Sequence, residues 1–295
     1  HALADVLTGH TVPSGKLTDT WVRAYADLPN ADTFSHRNGD IRTERYEEGI
    51  YVGYRYFDSF KVEPLYPFGF GLSYTDFQIR CGHIQADPTN LSLEVTVENT
   101  GSVFPGKEVV QVYCSCPQDG LLKEAKRLCG FAKTDLLKPK ESQTLTISFP
   151  ARALASYDTE KSAWTIESGA YILQIGDSSR SLAPVGVLRV AKDVILEKTA
   201  HICPLRQDLQ EIAPKREAMR QYIDALLKKA EEERLPVLSF APQAEVLHRR
   251  PADDYSKRAA ALVEKLTGDE LTAMVIGEMS KGQSSALGSA GIKVP

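Results

Sequence analysis

Asp40, Glu44, Glu47 and Glu48 bring four carboxyl groups into one short stretch of chain, interleaved with Arg37, Arg42 and Arg45. Two carboxyl groups about 5 to 5.5 Å apart are what retaining cleavage of a glycosidic bond requires: one gives and takes the proton, the other attacks. A solvated loop whose acids and bases neutralise one another accounts for the same residues equally well. Spacing along the chain leaves both readings open.

Other chemistries find less support. Gly9 to Leu17 ends in Gly15-Lys16 like a phosphate-binding loop, but the glycine spacing is one residue too long, and Leu17 replaces the hydroxyl that would hold magnesium. Gly69 and Gly71 lack the third glycine and the following helix of a dinucleotide fingerprint, so they are expected to make tight turns. The 6 histidines are scattered, without the spacing that sets ligands on one helix face, and no metal or cofactor is expected. Ser14 sits in Pro13-Ser14-Gly15, not in a nucleophile elbow, and reads as a turn serine. The 5 cysteines, Cys81, Cys114, Cys116, Cys129 and Cys203, form neither a disulfide framework nor a zinc spacing. Free thiols imply a reducing compartment, hence an expected cytoplasmic location.

The elements that would position these groups change character along the chain. Residues 1 to about 78 read as the end of an α/β unit: a short helix over Ala2–Leu7, a turn at Pro13-Ser14-Gly15, a polar loop from Asn30 to Glu48, then apolar residues from Ile50 to Phe57. From 79 to about 190 the period becomes two. Leu91, Leu93, Val95 and Val97 alternate with Ser92, Glu94, Thr96 and Glu98, the mark of a strand with one buried face. Further strand-like blocks at Val109–Cys114, Leu145–Phe149, Tyr171–Ile175 and Val185–Val190 are separated by turn residues, which predicts a β-sandwich. After Val190 the pattern turns helical, with Met219, Tyr222, Ile223, Leu226 and Leu227 on one stripe. Pro236 breaks that helix. A loose stretch through Pro242 and Pro251 leads to a final helical pair, whose second member has a capping box at Thr267 and Glu270.

A net charge of -4 and the lack of a basic run argue against a nucleic-acid partner. No apolar run approaches the roughly 20 residues that span a bilayer, so no membrane partner is expected. His1 stands where a start methionine would, so the missing export signal carries no weight.

Three blocks of the chain resemble the later part of glycoside hydrolase family 3, which includes many β-glucosidases and β-xylosidases. The first is Ala2-Leu3-Ala4-Asp5-Val6-Leu7 with Pro13-Ser14-Gly15-Lys16-Leu17. More specific is Glu48-Gly49-Ile50-Tyr51-Val52-Gly53-Tyr54-Arg55-Tyr56-Phe57-Asp58 followed by Tyr66-Pro67-Phe68-Gly69-Phe70-Gly71-Leu72-Ser73-Tyr74. The third runs from Val97-Glu98-Asn99-Thr100-Gly101 through Gly106–Tyr113 and Gly130-Phe131 to Trp164–Tyr171, and is similar to the family's fibronectin type III-like module.

The resemblance implies a mixed architecture: residues 1–78 as the C-terminal part of an α/β sandwich domain, and 79–191 as an all-β fibronectin type III-like, immunoglobulin-like sandwich. Residues 192–250 become a helical linker and 251–295 the N-terminal opening segment of a truncated (β/α)8 barrel. The stretch Tyr255–Met279, with Leu262-Val263-Glu264-Lys265-Leu266-Thr267, looks like that opening segment and implies the family's reversed domain order. The implied parent is a retaining, exo-acting glycosidase acting on β-glucosides or related oligosaccharides. Its nucleophile is expected beyond Pro295 and its acid/base upstream of Ala2, so no residue of this chain is given a catalytic role. The loop 32–48 is expected at most to approach a sugar, homo-oligomerisation is left open, and the competing reading is a non-catalytic carbohydrate-binding or scaffolding module. Tyr113, Tyr157, Trp164 and Tyr171 fall in separate elements, so no aromatic row for sugar binding is expected on the sandwich.

Overall fold

The structure, a computed structural model, describes residues 1–35, 37, 39–200, 209–243 and 255–276. Cys203, Pro251 and the terminal Lys293-Val294-Pro295 lie outside the described residues. Residues 1–245 and 246–295 form two compact units.

In the first unit, α1 (Ala2–Leu7) and α2 (Tyr54–Ser59) are joined by loops and a 3-10 turn at Tyr25–Asp27. Then come the strands β1 (Phe77–Ala86), β2 (Asn90–Asn99), β3 (Val109–Ser115), β4 (Arg127–Lys133), β5 (Ser142–Pro150), β6 (Ser156–Asp158), β7 (Ala163–Ile166), β8 (Gly169–Gly176), β9 (Leu182–Val190) and β10 (Val194–Lys198). Helix α3 (Arg216–Glu232) and β11 (Val237–Ser239) follow.

Two sheets face each other, one ordered β1-β2-β5 and the other β11-β9-β8-β3-β4. The alternation in β2 has its expected result: Leu91, Leu93, Val95 and Val97 are buried against Ile147 and Phe149 of β5 and against Val110, Val112, Cys114, Tyr171, Leu173 and Ile175 of the facing sheet. Each such side chain contributes about 1.5–3 kcal/mol of hydrophobic stabilisation. Tyr171 closes the corner into β8, its hydroxyl donating 2.8 Å to the carbonyl of Glu167. That arrangement is characteristic of immunoglobulin-like sandwiches.

The larger sheet is buried on its outer face as well. Gln111, Tyr113 and Ser115 of β3, and Ile172 and Gln174 of β8, point away from the core and are still buried. Helix α3 covers part of this face through Ala230, which packs with Ala170 and Val187. Of its predicted stripe, Met219 and Ile223 are buried, while Tyr222, Leu226 and Leu227 are half-buried.

The helical reading after Val190 is corrected at two places. β10 pairs antiparallel with β7 in a small sheet ordered β10-β7-β6, and β11 adds to the large sheet parallel to β9. Both strands are short, and their pairing partners supply the order that their own sequence does not.

Residues 1–76 contain no strand among the described residues, only helices, turns and an isolated bridge between Trp21 and Tyr66. Helix α1 buries no residue, and Trp21, Phe34, Ile41, Tyr46, Leu65 and Leu72 are all exposed. The segment has little core of its own and is ordered mainly by the sandwich it lies on.

The second unit holds α4 (Ser256–Val263) and α5 (Gly268–Ile276). The predicted capping box is formed: the Thr267 hydroxyl accepts from the Glu270 amide at 3.3 Å, and the Glu270 carboxylate accepts from the Thr267 amide at 2.8 Å. No helix among the described residues is long and apolar enough to cross a membrane.

Candidate functional site

The acidic loop is tied down by its own backbone and by a later segment of the chain. Asp40 accepts from the amides of Arg42 at 2.9 Å and Thr43 at 3.2 Å, and the Arg42 bond, above all, holds its carboxyl below the usual range. Farther along, the carbonyl of Glu47 accepts from the amide of Ile212 at 2.8 Å, so the segment after the sandwich returns to strap the end of this loop. Glu48 Oε2 is buried without a hydrogen-bond partner among the described residues. Arg37 donates to the Ala31 carbonyl at 3.1 Å and lies over the ring of Tyr25.

The remaining sequence candidates have structural partners. Lys16 pairs with Glu108 at 2.7 Å, and Ser14 accepts from Lys133 through both its carbonyl and its hydroxyl. Gly69, at φ +82°, is a turn glycine with a second constraint, because a Cβ there would lie 2.3 Å from the amide of Gln111. Cys81, Cys114, Cys116 and Cys129 are free thiols, and burial raises the Cys114 thiol well above its usual range. Among the described residues no group of His, Cys, Asp and Glu is arranged to hold a metal ion.

The seam between α2 and the sandwich is built from charges. Lys123, Glu124, Lys126 and Arg127 follow one another into β4 and all are buried. Buried ions persist only when paired. Lys123 meets the carboxylate of Glu167 and donates to the carbonyls of Pro117 and Leu121. Arg127 pairs with Glu124 at 2.8 Å and donates to Ser156 at 2.8 Å. Lys126 reaches Asp58 of α2 at 3.2 Å, beside Arg180. The Ala125 amide donates to Ser59, the Leu128 amide donates to the Tyr54 hydroxyl, and the Tyr54 ring meets Tyr113 edge-on.

Next to this seam lies a cleft of about 640 Å³, between α2, the small sheet and the strap at Glu211–Ala213. Its walls include Tyr51, Arg55, Arg152, Tyr157, Trp164 and Glu211. The four aromatics of the sandwich lie in separate elements, as expected, but two of those elements pair. Tyr157 and Trp164 are direct cross-strand partners in β6 and β7, their rings 5.5 Å apart and edge-to-face. Arg152 lies over the Trp164 ring at 5.3 Å and is fixed by Glu197 at 2.6 Å. Tyr113 and Tyr171, by contrast, are fully buried. Sequence reasoning placed Tyr51 and Arg55 only in a block of family resemblance, with no role, and missed Arg152, which belongs to no motif with a recognisable spacing.

Residues 1–74 match the description "Glycosyl hydrolase family 3 C-terminal domain", and residues 108–179 match "Fibronectin type III-like domain". The chain is 38% identical to a β-glucosidase of Ruminococcus albus over 240 residues, covering 78% of this chain and 24% of that protein. It is 40% identical to β-glucosidase A of Butyrivibrio fibrisolvens over 223 residues, or 68% of this chain and 26% of that one. Among solved structures, a β-glucosidase from Paenibacillus barengoltzii superposes with a TM-score of 0.64 at 41% identity, covering 68% of this chain and 23% of that one. The β-glucosidase 3B of Thermotoga neapolitana, in complex with α-D-glucose, gives 0.61 at 40% identity, covering 65% and 27%. The chain spans about a quarter of the length of the curated relatives it matches.

Proposed function

Because the chain belongs to glycosyl hydrolase family 3, we propose that it is the non-catalytic centre of a retaining, exo-acting β-glucosidase that cleaves O-glycosidic bonds of β-glucosides or related oligosaccharides. The observation that carries this reading is the seam. The family 3 segment and the fibronectin-like sandwich stand in consecutive order and are joined through Asp58, Ser59 and Tyr54, so the two form one folded body.

Retaining hydrolysis needs a nucleophilic carboxylate on the anomeric carbon and a second carboxyl that protonates the leaving oxygen. Neither is assigned to a residue of this chain. In the proposed arrangement residues 251–295 open a (β/α)8 barrel that follows the sandwich, in the reversed domain order. The formed capping box at the start of α5 gives that segment a defined helix start. The loop 32–48 approaches the glycoside in the assembled enzyme, and its strap at Ile212 and the unpartnered Glu48 Oε2 fit that role. The free thiols fit a reducing, cytoplasmic setting.

The test compares two proteins on an aryl β-glucoside. The 295-residue chain is expected to give no turnover, and a longer protein carrying a barrel after residue 295 is expected to hydrolyse it with retention. Turnover by the chain itself, abolished by Glu47→Gln or Glu48→Gln, would overturn the proposal.

A further inference from the structure

We propose that the cleft walled by Tyr157, Trp164, Arg152, Arg55 and Glu211 is a carbohydrate-binding site for a short neutral oligosaccharide. Its volume of about 640 Å³ lies within the roughly 300–1,000 Å³ of small-molecule sites. Its chemistry matches such sites as well: aromatic rings beside a few placed polar groups.

Preorganisation is the first argument. The Tyr157 and Trp164 rings are fixed by strand pairing, and the Arg152 guanidinium is fixed between the Trp164 ring and Glu197. A ligand meeting these groups finds an apolar surface and hydrogen-bond donors that lose little freedom on binding. Tyr51, on the opposite wall, is buried, and its phenol is pushed up to about 12, chiefly by that burial. It therefore stays neutral at ordinary pH.

Charge is the second argument, and it decides the ligand class. The charged residues lining the cleft are Arg55, Lys123, Glu124, Arg127, Arg152 and Glu211. Lys123 is neutralised by Glu167, Arg127 by Glu124 and Arg152 by Glu197. The two that remain, Arg55 and Glu211, are of opposite sign. The cleft has donors and acceptors and no net charge. A phosphate or a uronic acid would find no surplus cation, whereas a neutral polyhydroxylated ring would find both a face and hydrogen-bonding partners. The choice of a sugar among neutral polar ligands rests on the family reading above.

The chain contains 2 tryptophans, Trp21 and Trp164, so each can be made the sole reporter. In Trp21→Phe, cellobiose is expected to change the Trp164 fluorescence saturably, with a Kd on the order of 1 mM. In Trp164→Phe, the remaining Trp21 is expected not to respond. Calorimetry on Tyr157→Ala and on Arg55→Ala, an exposed position, is expected to show affinity at least about fivefold weaker. Thermal melts confirm that the variants fold. The proposal is overturned if Trp164 is silent up to about 50 mM cellobiose, or if Trp21 responds equally. It also fails if inorganic phosphate displaces the sugar. Binding by this chain and hydrolysis by the longer protein are separate readouts, so either reading can fail while the other stands.

Discussion

Arg180, in the turn between β8 and β9, places its Nε 2.7 Å from Oδ1 of Asp58 at the end of α2, and its terminal nitrogen donates to the carbonyls of Phe57 and Val62. One side chain of the sandwich thus holds both the charge and the backbone end of the helix. Lys126 approaches the other carboxylate oxygen at 3.2 Å.

Burial is the largest influence on both ions of the Asp58–Lys126 pair: it raises the Asp58 carboxyl and lowers the Lys126 ammonium. Both shifts disfavour the charged form, so the pair serves geometry more than stability. Lys126→Met alone leaves the buried Asp58 carboxylate with Arg180 as its remaining cation and is expected to cost about 3 kcal/mol, whereas Lys126→Met with Asp58→Asn should recover at least half of that. Urea denaturation of the two singles and the double variant checks this. Additive losses would refute it.

At the corner into β8, Tyr171→Phe removes one hydrogen bond to a part-buried carbonyl and is expected to cost about 1–2 kcal/mol. Lys123→Met, which leaves Glu167 without its cation, is expected to cost more, about 3–5 kcal/mol. Chemical denaturation gives the order directly. A larger loss from Tyr171→Phe would mean that the corner, not the ion pair, anchors this loop.

Alkaline pH offers a third check. Burial raises the phenols of Tyr51, to about 12, and of Tyr113 and Tyr171 farther still. An unfolded tyrosine titrates near 10. Because the folded values lie above the unfolded one, the contribution to stability is complete below about pH 10 and is lost as pH rises through the folded values. Melting temperatures from these groups should therefore be flat near neutrality and fall steeply between about pH 10 and 12. Tyrosinate absorbance should rise in a late step coincident with unfolding. Titration of all the tyrosines near 10 in still-folded protein would contradict the burial.

Local pattern carried the sandwich. Period-two alternation in β2 and β5, and compact apolar runs in β3, β8 and β9, are fixed by which face of each strand meets the other sheet, and that choice is written in the residues themselves. The stripe of α3 and the capping box of α5 were legible for the same reason, since each depends on residues within a few positions of one another. Resemblance in three blocks added the family, which composition and period could not have supplied.

Tertiary structure decided the rest, wherever the partners are distant in sequence. Lys123, Glu124, Lys126 and Arg127 form a charge run that local rules would place in water, and they are buried because Glu167 and Asp58 arrive from elsewhere. Tyr157 and Trp164 look unrelated until the pairing of β6 with β7 brings their rings together. β10 and β11 are strands only because β7 and β9 offer them hydrogen bonds. The carboxylates between Asp40 and Glu48 have the residue types for acid/base chemistry. What the fold adds to them is a strap from Ile212 and one unpartnered buried oxygen on Glu48, contacts no spacing rule encodes, because the two segments meet only after the sandwich has closed between them.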